Sequence, residues 1–308
     1  MKLAALFFLP IALAVAQAPD IFGRLQAVFS NPADASLAVA SLRSGNFVEL
    51  KQLLARQSSQ TPARRPELLA LLGAVDFLGG DMKAAADHLT AAGKTSPLND
   101  ADNFTLAMAL VKLGNDDRAR AILTALLDKN PNRSLYVYWL GRLDYDQRRY
   151  DEAVTRLTRA VELDAKSARA WDSLGLAFDM QGQMQQALSA FEKASELNRE
   201  ELHPSPWPPH NLGYLLLRMN QPEAAFGALE ESLRYEPSLA IANYHLGRTL
   251  EKLGRGEQAI QAYKQAVAND PGSTDACYSL AQLYRKLQRE TEAEQMFAEY
   301  RRRKSVIQ

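Results

Sequence analysis

The side chains able to support chemistry in this 308-residue chain are few: histidines at 88, 203, 210 and 245, a single cysteine at 277, and an Asp144/Asp146 pair. Catalytic zinc takes three protein ligands and structural zinc four, so two imidazoles such as His210 and His245, with no third ligand nearby, make an incomplete set. The sequence has no HExxH, no GxSxG, no phosphate-binding GxxxxGK[ST], no GxGxxG and no calcium-loop pattern. Asp144 and Asp146 are two residues apart, and on a helix they point in different directions, so they cannot flank one glycosidic bond as an acid–base pair. One cysteine excludes an internal disulfide framework and a four-cysteine metal knuckle. Cys277 falls at a helical position suited to packing and reads as an inert buried thiol. The expectation is a chain with no catalytic residues, no resident metal and no cofactor.

The elements that carry these residues repeat. Ala85, Ala119, Ala153 and Ala187 stand 34 residues apart, and so do Ala225, Ala259 and Ala293 after one step of 38. This register gives units 66–99, 100–133, 134–167, 168–201, 206–239, 240–273 and 274–307, with a Pro-rich insertion at 202–205. Other columns agree with it independently. Leu72, Leu106, Leu140, Leu174, Leu212, Leu246 and Leu280 share one position. The next residue is always glycine or alanine, and a bulky residue follows the anchoring alanine by four, as in Leu89, Phe191 and Tyr263. Apolar residues recur at helical spacing in both halves of a unit. Gly80, Gly114, Gly182 and Gly254 mark a reversal between the halves. Pro97, Pro131, Pro237 and Pro271 close units, where no interior helical hydrogen bond is lost. Each unit therefore reads as two antiparallel helices, and the fold class as an all-α solenoid.

Lys plus Arg and Asp plus Glu both number 36, so the formal net charge is zero and the composition gives no sign of nucleic-acid binding. Met1–Ala18 reads as a targeting segment: Lys2, an apolar run from Leu3 to Val15, then small residues at Ala14, Ala16 and Ala18. Cleavage is expected after Ala16, leaving no stable membrane span and placing the mature chain in the periplasm or outside the cell. Residues 17–30 read as an N-terminal arm, in which Phe22, Leu25, Val28 and Phe29 suit a short helix. Residues 31–65 read as a divergent capping helix pair, opened by Asn31-Pro32, reversed at Ser44-Gly45-Asn46 and ended by a polar loop from Ser58 to Arg65.

The pattern resembles the tetratricopeptide repeat (TPR) family, most fully in unit 168–201, with Trp171, Leu174, Gly175, Phe178, Ala187, Phe191 and Ala194, and nearly as fully in unit 240–273. Asp76 and Asp144 depart from it at a position that is usually bulky, as does Pro209 where Trp is common. The resemblance implies a right-handed superhelix whose first helices line a concave face, exposing the second, fifth, ninth, twelfth and thirteenth residues of each unit. Those positions carry Phe77, Phe104, Tyr138, Tyr145, Trp207, Tyr214, Tyr244 and Tyr278, with Arg142, Arg169, Arg218, Arg248, Lys252, Arg285 and Lys286. Asp146, Asp172, Asp179, Glu251 and Asp275 add the opposite charge. His210 and His245 fall on first helices of adjacent units and can approach each other. The Lys/Asn clamp with which some members grip a chaperone carboxylate is missing at the fifth and ninth positions. In ELHPSPWPPH, prolines would hold Trp207 on a stiff extended segment next to His210, a hook for a partner or a spacer between units. Tyr, Trp and Arg offer large contact area at low entropic cost, which suits protein or peptide recognition. The reading is a non-enzymatic binding scaffold. Self-association in an envelope assembly and glycan binding on the aromatic groove are its alternatives.

Overall fold

The computed structural model describes residues 19–307, and the targeting segment lies outside them. Among the described residues the chain is entirely helical, apart from its turns and loops. It divides into two compact units, one ending at Tyr136 and one beginning at Val137, in the first turn of α8.

The first unit holds α1 (Pro19–Val28), α2 (Pro32–Ser44), α3 (Phe47–Gln60), a short 3-10 turn (Pro62–Arg64), α4 (Arg65–Leu78), α5 (Met82–Gly93), α6 (Asp100–Lys112) and α7 (Asp116–Lys129). Helix starts follow capping chemistry. Asn31, Asn46, Asp81 and Asn99 each accept a hydrogen bond from a backbone N–H of the first turn that they precede. The expected arm is the packed helix α1, with Ile21, Leu25, Val28 and Phe29 buried against α2, α3 and α4. The expected loop at Ser58–Arg65 is instead mostly helical. Nothing breaks the helix before Pro62, so α3 runs on to Gln60.

The second unit holds α8 (Ser134–Asp146), α9 (Tyr150–Leu163), α10 (Ala168–Met180), α11 (Met184–Asn198), α12 (Trp207–Arg218), α13 (Pro222–Tyr235), α14 (Ala240–Lys252), α15 (Gly256–Asn269), α16 (Thr274–Lys286) and α17 (Glu290–Ile307). From α10 onward, each first helix packs on its own second helix and on the second helix of the preceding pair. Successive first helices touch, as α10 does α12 and α12 does α14, while successive second helices do not pack closely. The first helices therefore line the inner side of each stack.

The small residue of each pair explains the close crossing. A Cβ on Gly175 would lie 2.6 Å from the Phe191 ring, and one on Gly247 the same distance from Tyr263. The bulky residue four past the anchoring alanine thus fills the space that glycine leaves, and Ala187, Ala225 and Ala259 are fully buried beside it.

Candidate functional site

The inner side of the second unit is built on a buried polar chain that crosses three first helices. Its direction follows from donor and acceptor chemistry. Asn211 Nδ2 on α12 donates to Asp172 Oδ1 on α10 at 2.9 Å, which leaves Asn211 Oδ1 as an acceptor. His210 Nδ1, 3.1 Å from that oxygen, must then carry the proton. A neutral His210 consequently offers a bare Nε2, and His245 Nδ1 on α14 donates to it at 3.1 Å. Every proton points toward one carboxylate. Burial holds His210 down at about 4, and burial together with the neighbouring His210 and Arg248 holds His245 down at about 2. Burial also pushes Asp172 up to about 6, against the hydrogen bond from Asn211 and the charge of Arg142.

Aromatic rings cover this chain. Tyr214 stacks on His245, with centroids 4.3 Å apart and planes 12° from parallel. Trp207 meets His210 edge-on at 5.6 Å, and Tyr244 lies 5.4 Å from His245. Cations follow at helical spacing: the Arg218 guanidinium sits 5.5 Å from the Tyr214 ring and that of Arg248 5.9 Å from Tyr244. Arg218 Nη1 also donates to both carboxylate oxygens of Asp179, at 2.7 and 2.5 Å, joining α12 to α10. Farther along, Tyr278 lies 5.4 Å from Tyr300, and Gln282 links its hydroxyl to Arg285.

The expected surface residues separate into two groups. Arg169, Arg218, Arg248, Tyr278 and Arg285 are exposed, and Tyr145, Tyr214 and Tyr244 are half-buried, so these eight can meet a ligand. Tyr138 and Arg142 cannot, being 7% and 4% exposed. Tyr138 packs edge-on against Trp139, and Arg142 turns along its own helix to Asp146 and the Tyr145 ring. Phe104 belongs to the first unit and packs against Tyr136 at 5.7 Å.

The Pro-rich hook is also corrected. Trp207 is the first residue of α12, and Pro208 and Pro209 occupy its first turn, where a missing N–H costs nothing. His210 is buried at 5% exposure and cannot contact a partner. Only Glu201–Pro206 bends outside the helices. Asn198 pins it by both accepting from Ser205 N and donating to Ser205 O at 2.8 Å. Sequence reasoning brought His210 and His245 together. It missed their continuation through Asn211 to Asp172, although the signal lay in the fifth and sixth columns of successive units.

Two tetratricopeptide repeat family models match the chain, one over residues 138–199 and 210–274, the other over 77–138 and 252–305. The chain belongs to the tetratricopeptide repeat family. Among solved structures it is similar to a tetratricopeptide repeat protein from Parabacteroides merdae, with TM-score 0.62 and 18% identity over 89% of this chain and 99% of that one. It is similar also to the APC/C hetero-tetramer Cut9-Hcn1, with TM-score 0.66 and 17% identity over 89% of this chain and 52% of that one. At such identity the likeness concerns the fold alone. Superkiller complex protein 3 of Mus musculus is 35% identical over 108 residues, 34% of this chain and 7% of that protein. BBSome complex member BBS4 of Bos taurus is 25% identical over 55% of this chain and 32% of its own length. The chain thus spans less than a third of either curated relative. Among the described residues no helix is long and apolar enough to cross a membrane, and no group of three or more His, Cys, Asp or Glu is arranged to hold a metal ion.

Proposed function

We propose that this TPR chain is a non-enzymatic scaffold that captures a protein or peptide segment along the first helices of its second unit, in an extracytoplasmic compartment. The observation that carries the reading is a row of exposed cations (Arg169, Arg218, Arg248, Arg285) with half-buried Tyr214 and Tyr244 and exposed Tyr278, along first helices of which three are joined beneath by the His245–His210–Asn211–Asp172 chain. Rings already stacked and guanidiniums already held lose little freedom when a ligand arrives. A bound backbone gains hydrogen bonds from the guanidiniums and apolar area from the tyrosines. Export rests on the Lys2, Leu3–Val15, Ala16 pattern.

Two experiments test the two parts. Peptides selected from a random display library on the full chain should bind the Arg248→Ala, Tyr278→Ala, Arg285→Ala variant at least tenfold more weakly, about 1.4 kcal/mol, with the circular dichroism spectrum unchanged. Equal affinity for variant and native chain contradicts capture at this face. Mass spectrometry of the chain made in a Gram-negative host should find a mature amino terminus at Gln17 in the periplasmic fraction. An intact Met1 in the cytoplasm contradicts export.

A further inference from the structure

The first unit has an occupant on its own inner side. A helix that merely added one more layer ahead of α2 would touch α2 alone among the first helices. α1 packs on α2 and on α4, and Arg24 reaches a third first helix, α6, where its two terminal nitrogens meet the Asp102 carboxylate at 2.8 and 2.9 Å. It therefore lies across the first-helix face, running back along α2 after the turn at Phe29–Asn31.

The seat is built to receive a helix. Ile21, Leu25, Val28 and Phe29 follow the spacing of one helical face, and all are buried. The last carbonyls of α1 have no partner within their own helix, and the seat supplies donors. Arg64 Nη1 donates to Ala27 O at 2.7 Å, and Gln57 Nε2 donates to Val28 O at 3.3 Å. Arg43 stands over the Phe22 ring at 5.6 Å. Asp102 is 3% exposed, and a carboxylate so placed requires a cation, which the occupant brings. An isolated helix of 10 residues is marginal in water, so α1 owes its form to this seat.

We propose that the first-helix face of the first unit is a docking groove for a short amphipathic helix bearing an arginine, and that α1 is its resident occupant, exchangeable for an external helix of the same pattern. The inference stands apart from peptide capture on the second unit. Its probe is a dye-labelled peptide of residues 19–30, added to the full chain and followed by fluorescence anisotropy. The Leu25→Asp chain, whose own α1 cannot seat, should bind this peptide at least tenfold more tightly than the native chain does. Replacing Arg24 by Ala in the peptide should cost at least tenfold of that affinity. Equal binding to native and Leu25→Asp chains overturns the proposal, as does loss of α2–α4 helicity in the variant, since α1 is then an integral layer. Hydrogen exchange on the native chain gives a second decision. Amides of α1 should exchange by local opening at least tenfold faster than those of α4, and exchange of both only on global unfolding overturns the groove.

Discussion

Protonation at His210 and His245 opposes the fold, whereas protonation at Asp172 supports it. Both histidines have folded pKa values below 6.5, so as pH falls through that value the unfolded chain takes up protons that the folded chain refuses, and stability is lost. Asp172 holds its proton up to about 6 in the folded chain, so between roughly pH 6 and 4 it returns part of that loss. The net difference is about one proton, or about 1.4 kcal/mol per pH unit between pH 6 and 5. Asp172→Asn keeps an acceptor for Asn211 but removes the compensating proton. Urea denaturation should show its stability falling about twice as steeply over that interval, and an unchanged slope contradicts the assignment. A second residue-scale expectation concerns the reversal between the helices of each pair. The left-handed conformation at Gly80, Gly114, Gly182 and Gly254 recurs in register at Arg148, Asn220 and Gln288, with φ of 61°, 57° and 59°. L-residues carry a steric cost there that glycine avoids. Gln288→Gly should raise stability by roughly 0.5–1 kcal/mol in the same assay, and a loss of stability contradicts this.

Within a helix pair, Asp76 and Asp144 follow a rule of their own. Both sit at the eleventh position of their unit, both are fully buried, and each meets a basic residue at the twenty-third: His88 at 2.7 Å from Asp76, and Arg156 at Asp144. Lys51 adds a cation at Asp76, and Arg149 adds a second one at Asp144. In unit 168–201 the same two positions hold Phe178 and Ala190, and in unit 206–239 they hold Leu216 and Ala228. The pair is thus exchanged as a whole, polar for apolar. Asp144→Leu leaves two arginines that are already partly exposed and can turn to water, so its cost should stay below about 1.5 kcal/mol. Arg149→Ala with Arg156→Ala removes both cations from a buried carboxylate and should cost about 3–5 kcal/mol. Equal costs in thermal unfolding would argue that the pairing does not act in this direction.

Across the molecule, the fold was legible because a 34-residue period writes the same two helices many times, and each column confirms the others. Gly175 with Phe191 is one such column pair, read from spacing and seen as a contact too tight for a Cβ. The candidate site was legible only in part. Position in a unit assigns a residue to the inner side, but whether it reaches solvent depends on the side chains around it. Tyr138 and Arg142 sink because Trp139 and Asp146 hold them, while Tyr278, at the position matching Tyr138, stays 44% exposed. Trp207 was misread because four prolines in ten residues look extended, yet Pro204 and Pro206 precede the helix and its first turn accepts Pro208 and Pro209. Hydroxyl-radical footprinting of the full chain, with and without a peptide selected on it, tests inner-face capture most directly. The account predicts at least threefold protection of Tyr214, Tyr244 and Tyr278, and none of Tyr235 on the second helix α13. Protection of Tyr235 with the three inner tyrosines unchanged would contradict it.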